Sequence, residues 1–170
     1  MHRLVLLRHA KAERAAPSGE DFDRALTERG RSDARLMGRV LAEKGVRVDL
    51  ALVSAAARTR QTWEGAAEAL TGAAVEADKA LFNATSSQLR AALDRVDPAV
   101  GTVVMVGHNP GIHALGLELL IAGGASGAVL ERVRGRFPTA SALVLDFDAA
   151  ERASYAGLHL AKDHGGGGED

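Results

Sequence analysis

Short, wholly apolar runs alternate with amphipathic stretches along most of this chain. Residues 4–7, 50–53 and 103–106 are continuous apolar runs of strand length without polar alternation. Such runs fit strands buried on both faces of a parallel sheet, predicted here over 4–7, 49–53 and 102–106. Between them, apolar residues recur at helical spacing. Ala34, Met37, Val40 and Leu41 form one stripe, which predicts a helix over 27–44. Thr27 is its N-cap, Gly30 is tolerated in its first turn and Gly45 stops it. A second helix is predicted over 57–70, ended by Gly72. A third covers 86–96, capped by Ser86 or Ser87, with Leu89, Leu93 and Val96 inward and Pro98 at its end. A fourth runs over 110–121, with Pro110 in its first turn. Residues 75–77 read as a short strand and 81–85 as a loop. The stretch 11–25, with Pro17, Ser18 and Gly19, reads as a longer loop, and Gly123, Gly124 and Gly127 as a flexible connection. Two last strands are predicted over 140–147 and 153–160, joined by a turn near 148–151.

Strands alternating with helices predict an α/β fold: a mostly parallel sheet covered by helices on both faces, with the late strand pair as an antiparallel addition at its edge. The 170 residues suit one domain, expected over 1–160, followed by a disordered tail over 161–170 in which four consecutive positions are glycine. Composition changes little, since 46% hydrophobic and 25% charged residues are ordinary. A net charge of -1 argues against a nucleic-acid footprint. The absence of cysteine excludes disulfides and thiolate metal sites. No apolar stretch approaches the roughly 20 residues of a spanning helix, so no membrane partner is expected. The run 4–7 is too short for the core of a signal peptide and is interrupted by Arg8 and His9, which makes the cytoplasm the expected compartment.

Candidate chemistry lies where the three strongest strands end. Arg8 and His9 follow the first. Residues 54–62 (Ser-Ala-Ala-Ala-Arg-Thr-Arg-Gln-Thr) follow the second, and Gly107-His108-Asn109-Pro110-Gly111 follows the third. In an open α/β sheet that edge is where ligands bind. Taken alone, His9 reads equally as a half-buried ring without a role. Arg8 beside it disfavours the imidazolium and so favours the neutral, nucleophilic ring. Arginine also holds phosphate through bidentate hydrogen bonds. Arg58 or Arg60 would lie at a helix N-terminus, where free N–H groups and the helix dipole favour an anion. His108 can donate a hydrogen bond to a phosphoryl oxygen, although glycine and proline around it need only turn explanations. A metal site is not expected: His108 and His113 are five apart and no H-E-x-x-H occurs. Neither a G-x-x-x-x-G-K-[ST] nucleotide loop nor a G-x-S-x-G serine elbow is present, and Ser54 reads as a turn residue.

Leu7-Arg8-His9-Ala10, the segment 54–62 and Gly107-His108-Asn109-Pro110-Gly111 together resemble the histidine phosphatase superfamily, in the branch containing phosphoglycerate mutases. Asp21-Phe22-Asp23-Arg24-Ala25-Leu26-Thr27-Glu28-Arg29-Gly30 and Phe137-Pro138-Thr139-Ala140 are similar to its SixA-like phosphohistidine phosphatases. The resemblance spans about residues 1–160. It implies a three-layer α/β/α sandwich of the phosphoglycerate mutase type and a covalent mechanism without metal or organic cofactor. His9 would become phosphohistidine, while Arg8, Arg58 and His108 surround the phosphoryl oxygens; Arg58, not Arg60, holds the arginine place of the R-T-x-Q-T pattern.

The departures from that pattern are Ala10 in place of glycine, Ala15 where mutase-type members are polar, and no glutamate around Leu81-Phe82-Asn83-Ala84 to serve as general acid. Asp21, Asp23 and Glu13 are the candidates left, with Asp21 first. A phosphohistidine substrate demands less of an acid, because imidazole, with a conjugate-acid pKa of about 6.5, leaves already protonated near neutral pH. The expected function is therefore phosphohistidine hydrolysis, on a protein partner. A short stretch between the Arg58 helix and the His108 strand implies a shallow pocket that admits a protein side chain. The alternatives are hydrolysis of small phosphomonoesters, such as sugar or nucleotide phosphates, and non-catalytic binding of phosphoproteins.

Overall fold

The computed structural model describes residues 1–167. Six strands form one mixed sheet in the order β3-β2-β4-β1-β5-β6. They are β1 (Arg3–Arg8), β2 (Leu50–Ser54), β3 (Ala74–Asp78), β4 (Thr102–Gly107), β5 (Ala142–Phe147) and β6 (Ala153–His159). β1 to β4 run parallel; β5 pairs antiparallel with β1, and β6 antiparallel with β5. The expected α/β sandwich with an antiparallel edge is what forms.

The apolar runs explain the layering. Successive side chains on a strand point to opposite faces, so a continuous apolar run feeds two cores at once. Val5 and Leu7 join Ala51, Val53, Val104 and Val106 on one face, packed against α1 (Glu28–Glu43) and α2 (Ala57–Ala67). Leu4 and Leu6 join Leu52, Val103 and Met105 on the other, against α3 (Ser86–Asp94) and α4 (Gly111–Ala122). Leu4 to Leu7 are all fully buried. At roughly 1.5–3 kcal/mol for each such side chain, this burial dominates the placement of β1 at the sheet's centre. β3, by contrast, is exposed along its whole length as the edge strand. Glu76 and Asp78 blunt it against further pairing.

Local signals account for most boundaries. The Thr27 side chain accepts a hydrogen bond from Gly30 N at 2.9 Å, capping α1 as expected. Gly30 is more than tolerated: a Cβ there would lie 2.1 Å from the Lys11 carbonyl oxygen. Its bare backbone lets α1 dock against the loop that leaves His9. α3 is capped by Thr85 in a reciprocal box with Gln88, one residue before the serines expected to do so.

Two differences are larger. The glycine-bearing connection after α4 contains a helix, α5 (Gly127–Gly135), capped by Ser126 and burying Val133. Gly123 and Gly124 end α4, and Gly127 is the first residue of the new helix; read together they looked like one flexible span. The expected tail is built in its first part. Ala161–His164 forms a 3-10 turn against α1 with Ala161 buried, and Gly167 N donates to Asp33 Oδ1 at 2.9 Å. A bare backbone N–H suffices there because the buried Asp33 supplies the acceptor. The rest of that predicted tail, residues 168–170, lies outside the described residues.

Candidate active site

The sheet register brings the three motifs together. β4 lies between β1 and β2, Arg8 is level with Gly107, and Val53 is level with Val106. The strands are parallel, so all three end at the same edge. His9, His108 and the start of α2 with Arg58 therefore meet there.

Backbone contacts lock each in place. His9 N donates to Gly107 O at 3.1 Å, and Ala140 N donates to His9 O at 3.0 Å. Ala10 N donates to Thr62 Oγ1 at 2.9 Å, while Thr62 Oγ1 donates to Arg58 O at 2.7 Å. Leu26 N donates to Gln61 Oε1 at 2.7 Å. The polar residues after Arg58 thus tie α2 to the loop that follows His9, which gives the segment 58–62 a physical reason for its composition. Gly111 serves similarly on the other side, since a Cβ there would lie 2.1 Å from Ala84 O.

The side chains converge as expected. The His9 and His108 rings are 5.4 Å apart between centroids. Arg58 is 4% exposed, His108 6% and His9 8%, so this is a recessed site and not the shallow pocket expected. Its cover is the 3-10 turn Asp21–Asp23. Arg58 Nη1 donates to Asp21 O at 2.8 Å and Nη2 to Asp21 Oδ2 at 3.0 Å, and Arg24 Nε donates to Asp21 Oδ1 at 2.7 Å. Arg8 Nη1 and Asn109 Nδ2 both donate to Phe137 O at 3.0 Å. Asp21 is thus in the site, whereas Asp23 accepts from Ser18. Arg60 is exposed and bonded to Ala55 O, which separates it from Arg58.

Sequence reasoning missed three contributors. Phe82 lies edge-on to His108 with centroids 5.4 Å apart, and the Arg58 guanidinium carbon sits 5.6 Å from its ring centroid. An apolar ring therefore occupies the stretch searched for an acid. The Phe137 carbonyl links two loops, which no side-chain pattern reveals. Ser54 is no mere turn residue: it is fully buried, and its hydroxyl is 2.8 Å from His108 Nε2. Among the described residues, no three His, Asp or Glu side chains gather as a metal site. No helix among them is long and apolar enough to cross a membrane.

The model of the histidine phosphatase superfamily (branch 1) matches residues 4–85. An Agrobacterium tumefaciens structure designated a phosphohistidine phosphatase SixA is 34% identical, with a TM-score of 0.80 over 94% of this chain and 97% of that one. The chain belongs to the histidine phosphatase superfamily. Within it the chain is SixA-like: a second structure so designated, from Nakamurella multipartitia, is 31% identical with a TM-score of 0.82, covering 94% of this chain and 95% of its own. An uncharacterized Mycobacterium tuberculosis protein is 38% identical over 142 residues, 82% of this chain and 85% of that protein. The sandwich is accordingly of the phosphoglycerate mutase type.

Electrostatics in this SixA-like site favour neutral rings. Burial pushes His9 down to about 4; its bond to the Ala10 carbonyl opposes this, and Arg58, Arg8 and Arg24 add to it. Burial pushes His108 down to about 3, helped by His9 and Arg58. Burial of Asp21 acts to raise its pKa, but hydrogen bonds from Arg24 and Arg58 outweigh that and hold it below the usual carboxylate range. Asp21 is therefore ionised, which opposes its expected use as a proton donor in this state.

An unfolded histidine titrates near pH 6.5. Between that and about 4, the unfolded chain takes up protons that folded His9 refuses. Stability contributed by the neutral rings is therefore complete above pH 6.5 and is lost as pH falls through this window. Thermal midpoints should decline from pH 6.5 to 4, and less steeply in His108→Gln. An identical slope in that variant would remove His108 from the effect.

Proposed function

We propose that the protein is a phosphohistidine phosphatase that works through a phosphorylated His9. His9 Nδ1 lies 2.7 Å from the Ala10 carbonyl oxygen. A carbonyl only accepts, so Nδ1 carries the ring proton and Nε2 keeps its lone pair. Nε2 attacks phosphorus; the bond between phosphorus and the substrate's imidazole breaks, and the departing ring takes its proton with it. Water then attacks the phosphoryl group on His9, releasing phosphate and returning the lone pair to Nε2. Arg8, Arg58 and His108 balance the oxygens' charge in both steps. No metal or organic cofactor is part of this scheme.

The observation that carries the choice of substrate is the state of Asp21. The carboxylate that reaches the site is paired with two arginines and ionised, and Phe82, not an acid, borders His108. Such a site is poor at protonating an alkoxide, whereas imidazole leaves at neutral pH without that help. The two SixA-designated relatives support the same substrate class. Since the turn Asp21–Asp23 covers Arg58, substrate must first exchange its phosphoryl oxygens for the Asp21 carboxylate.

The partner proposed is a phosphohistidine-bearing protein. Purified protein should release phosphate from a phosphohistidine peptide faster than from a panel of sugar and nucleotide monophosphates at equal concentration. A reversed order would favour the small-molecule reading. Phosphate binding without turnover of either would leave a binding domain.

A further inference from the structure

We propose that Ser54 is a positioning residue that sets the tautomer of His108, so that His108 offers Nδ1–H to a phosphoryl oxygen. This deepens the reading above and rests on it for the identity of the ligand. Ser54 is the last residue of β2, and nothing of it reaches solvent. Its carbonyl accepts from Thr59 Oγ1 at 2.6 Å, and Ala55 N beside it donates to Asp78 O at 3.1 Å. The hydroxyl is therefore held on a rigid strand end, 2.8 Å from His108 Nε2.

Two proton arrangements fit that distance, and counting unsatisfied groups separates them. In the first, His108 Nε2–H donates to Ser54. The serine proton then has no acceptor, and Nδ1, buried and without a partner, is a bare lone pair. In the second, Ser54 O–H donates to Nε2. Both hydrogen-bonding needs of that contact are met, and the one group left over is Nδ1–H. Each orphaned buried polar group is costly, so the second arrangement wins by one group.

The surroundings point the same way. Arg58 Nε–H is also buried without a partner. Arg58 is a necessary donor there, and an Nδ1–H on His108 would add a second to receive an anion. A lone pair on Nδ1 would instead repel a phosphoryl oxygen. His108 does not solve this by taking a second proton, because burial and the neighbouring cations keep the ring neutral. With a neutral ring, its bonding partner decides which nitrogen is the donor. The second-strand motif thereby acts twice: Arg58 supplies charge, and Ser54 orients the proton of a histidine 54 positions away.

Nitrogen-15 NMR of the labelled, full-length protein reads the tautomer directly. Wild-type His108 should show a protonated Nδ1 and an unprotonated Nε2, and inorganic phosphate should shift the Nδ1 resonance. Ser54→Ala should populate the Nε2–H tautomer. It should also lower kcat on a phosphohistidine peptide on the order of ten- to a hundred-fold, with a smaller change in KM. Ser54→Thr, which keeps the hydroxyl, should restore the tautomer and most of the rate. An Nε2–H tautomer in the wild type, no response of Nδ1 to phosphate, or a Ser54→Ala protein with unchanged tautomer would each overturn the proposal. These spectra need no turnover. A wild type with the expected tautomer that hydrolyses no phosphohistidine would therefore sink the functional reading and leave the role of Ser54 standing.

Discussion

Replacing His9 with alanine is expected to abolish the phosphoenzyme and reduce turnover of a phosphohistidine peptide by on the order of 10⁴-fold or more, as loss of a covalent nucleophile does elsewhere. The proposed role rests on the geometry of this ring. Its Nδ1 is committed to the Ala10 carbonyl at 2.7 Å, so Nε2 alone holds a lone pair. Its pKa is lowered to about 4, so that lone pair is free at neutral pH. Alanine removes the nucleophile but leaves Arg8, Arg58 and His108, so inorganic phosphate should still bind within several-fold of its wild-type affinity. Phosphoryl label should appear in wild type as an acid-labile, base-stable adduct and be absent from His9→Ala. Label persisting in the variant, or mapping to another histidine in the wild type, would discard the covalent scheme.

Arg58→Ala should lower kcat/KM by roughly 10²- to 10³-fold, the scale for removing a preorganised donor at developing charge. This guanidinium is 4% exposed and lies against the Phe82 face, so its field is poorly screened by water. Its two terminal nitrogens donate to the Asp21 backbone carbonyl and to one carboxylate oxygen, and the same pair could serve two oxygens of one phosphoryl group. Lysine at this position should recover little, because a single ammonium cannot make paired contacts. Arg60→Ala is the control. Arg60 is exposed and bonds a backbone carbonyl at 2.9 Å, and steady-state rates should stay within about two-fold of wild type if it only braces the turn. An Arg60→Ala defect equal to that of Arg58→Ala would mean the wrong arginine has been placed in the site.

Much of the fold was legible because one pattern served two purposes. The uninterrupted apolar runs at 4–7, 50–53 and 103–106 demanded burial on both faces, which only a sheet between two helical layers provides. Thr27 and Gly45 bounded α1 through local chemistry that any neighbours would leave intact. What misled was local too. Gly127 resembles a break, but Ser126 caps the helix and Val133 gains a buried face only once α4 is beside it. The terminal glycines lacked side chains to pack, yet Gly167 needs only its N–H to bind Asp33.

The site divides along the same line. That His9, Arg8, Arg58 and His108 would meet at one edge was readable from sequence, because each follows a strand end and carries charge or an imidazole where a buried strand stops. Their chemical state was not. Neutral rings, the ionised Asp21 seated on Arg58, Phe82 against His108 and the Ser54 contact all arise between segments tens of residues apart. Desolvation and hydrogen-bond partners are properties of three-dimensional neighbours, and no spacing along the chain encodes them. Sequence by itself therefore determined which groups stand at the sheet edge. The tertiary structure decided which of them hold protons, which hold each other, and which ring nitrogen keeps a free lone pair.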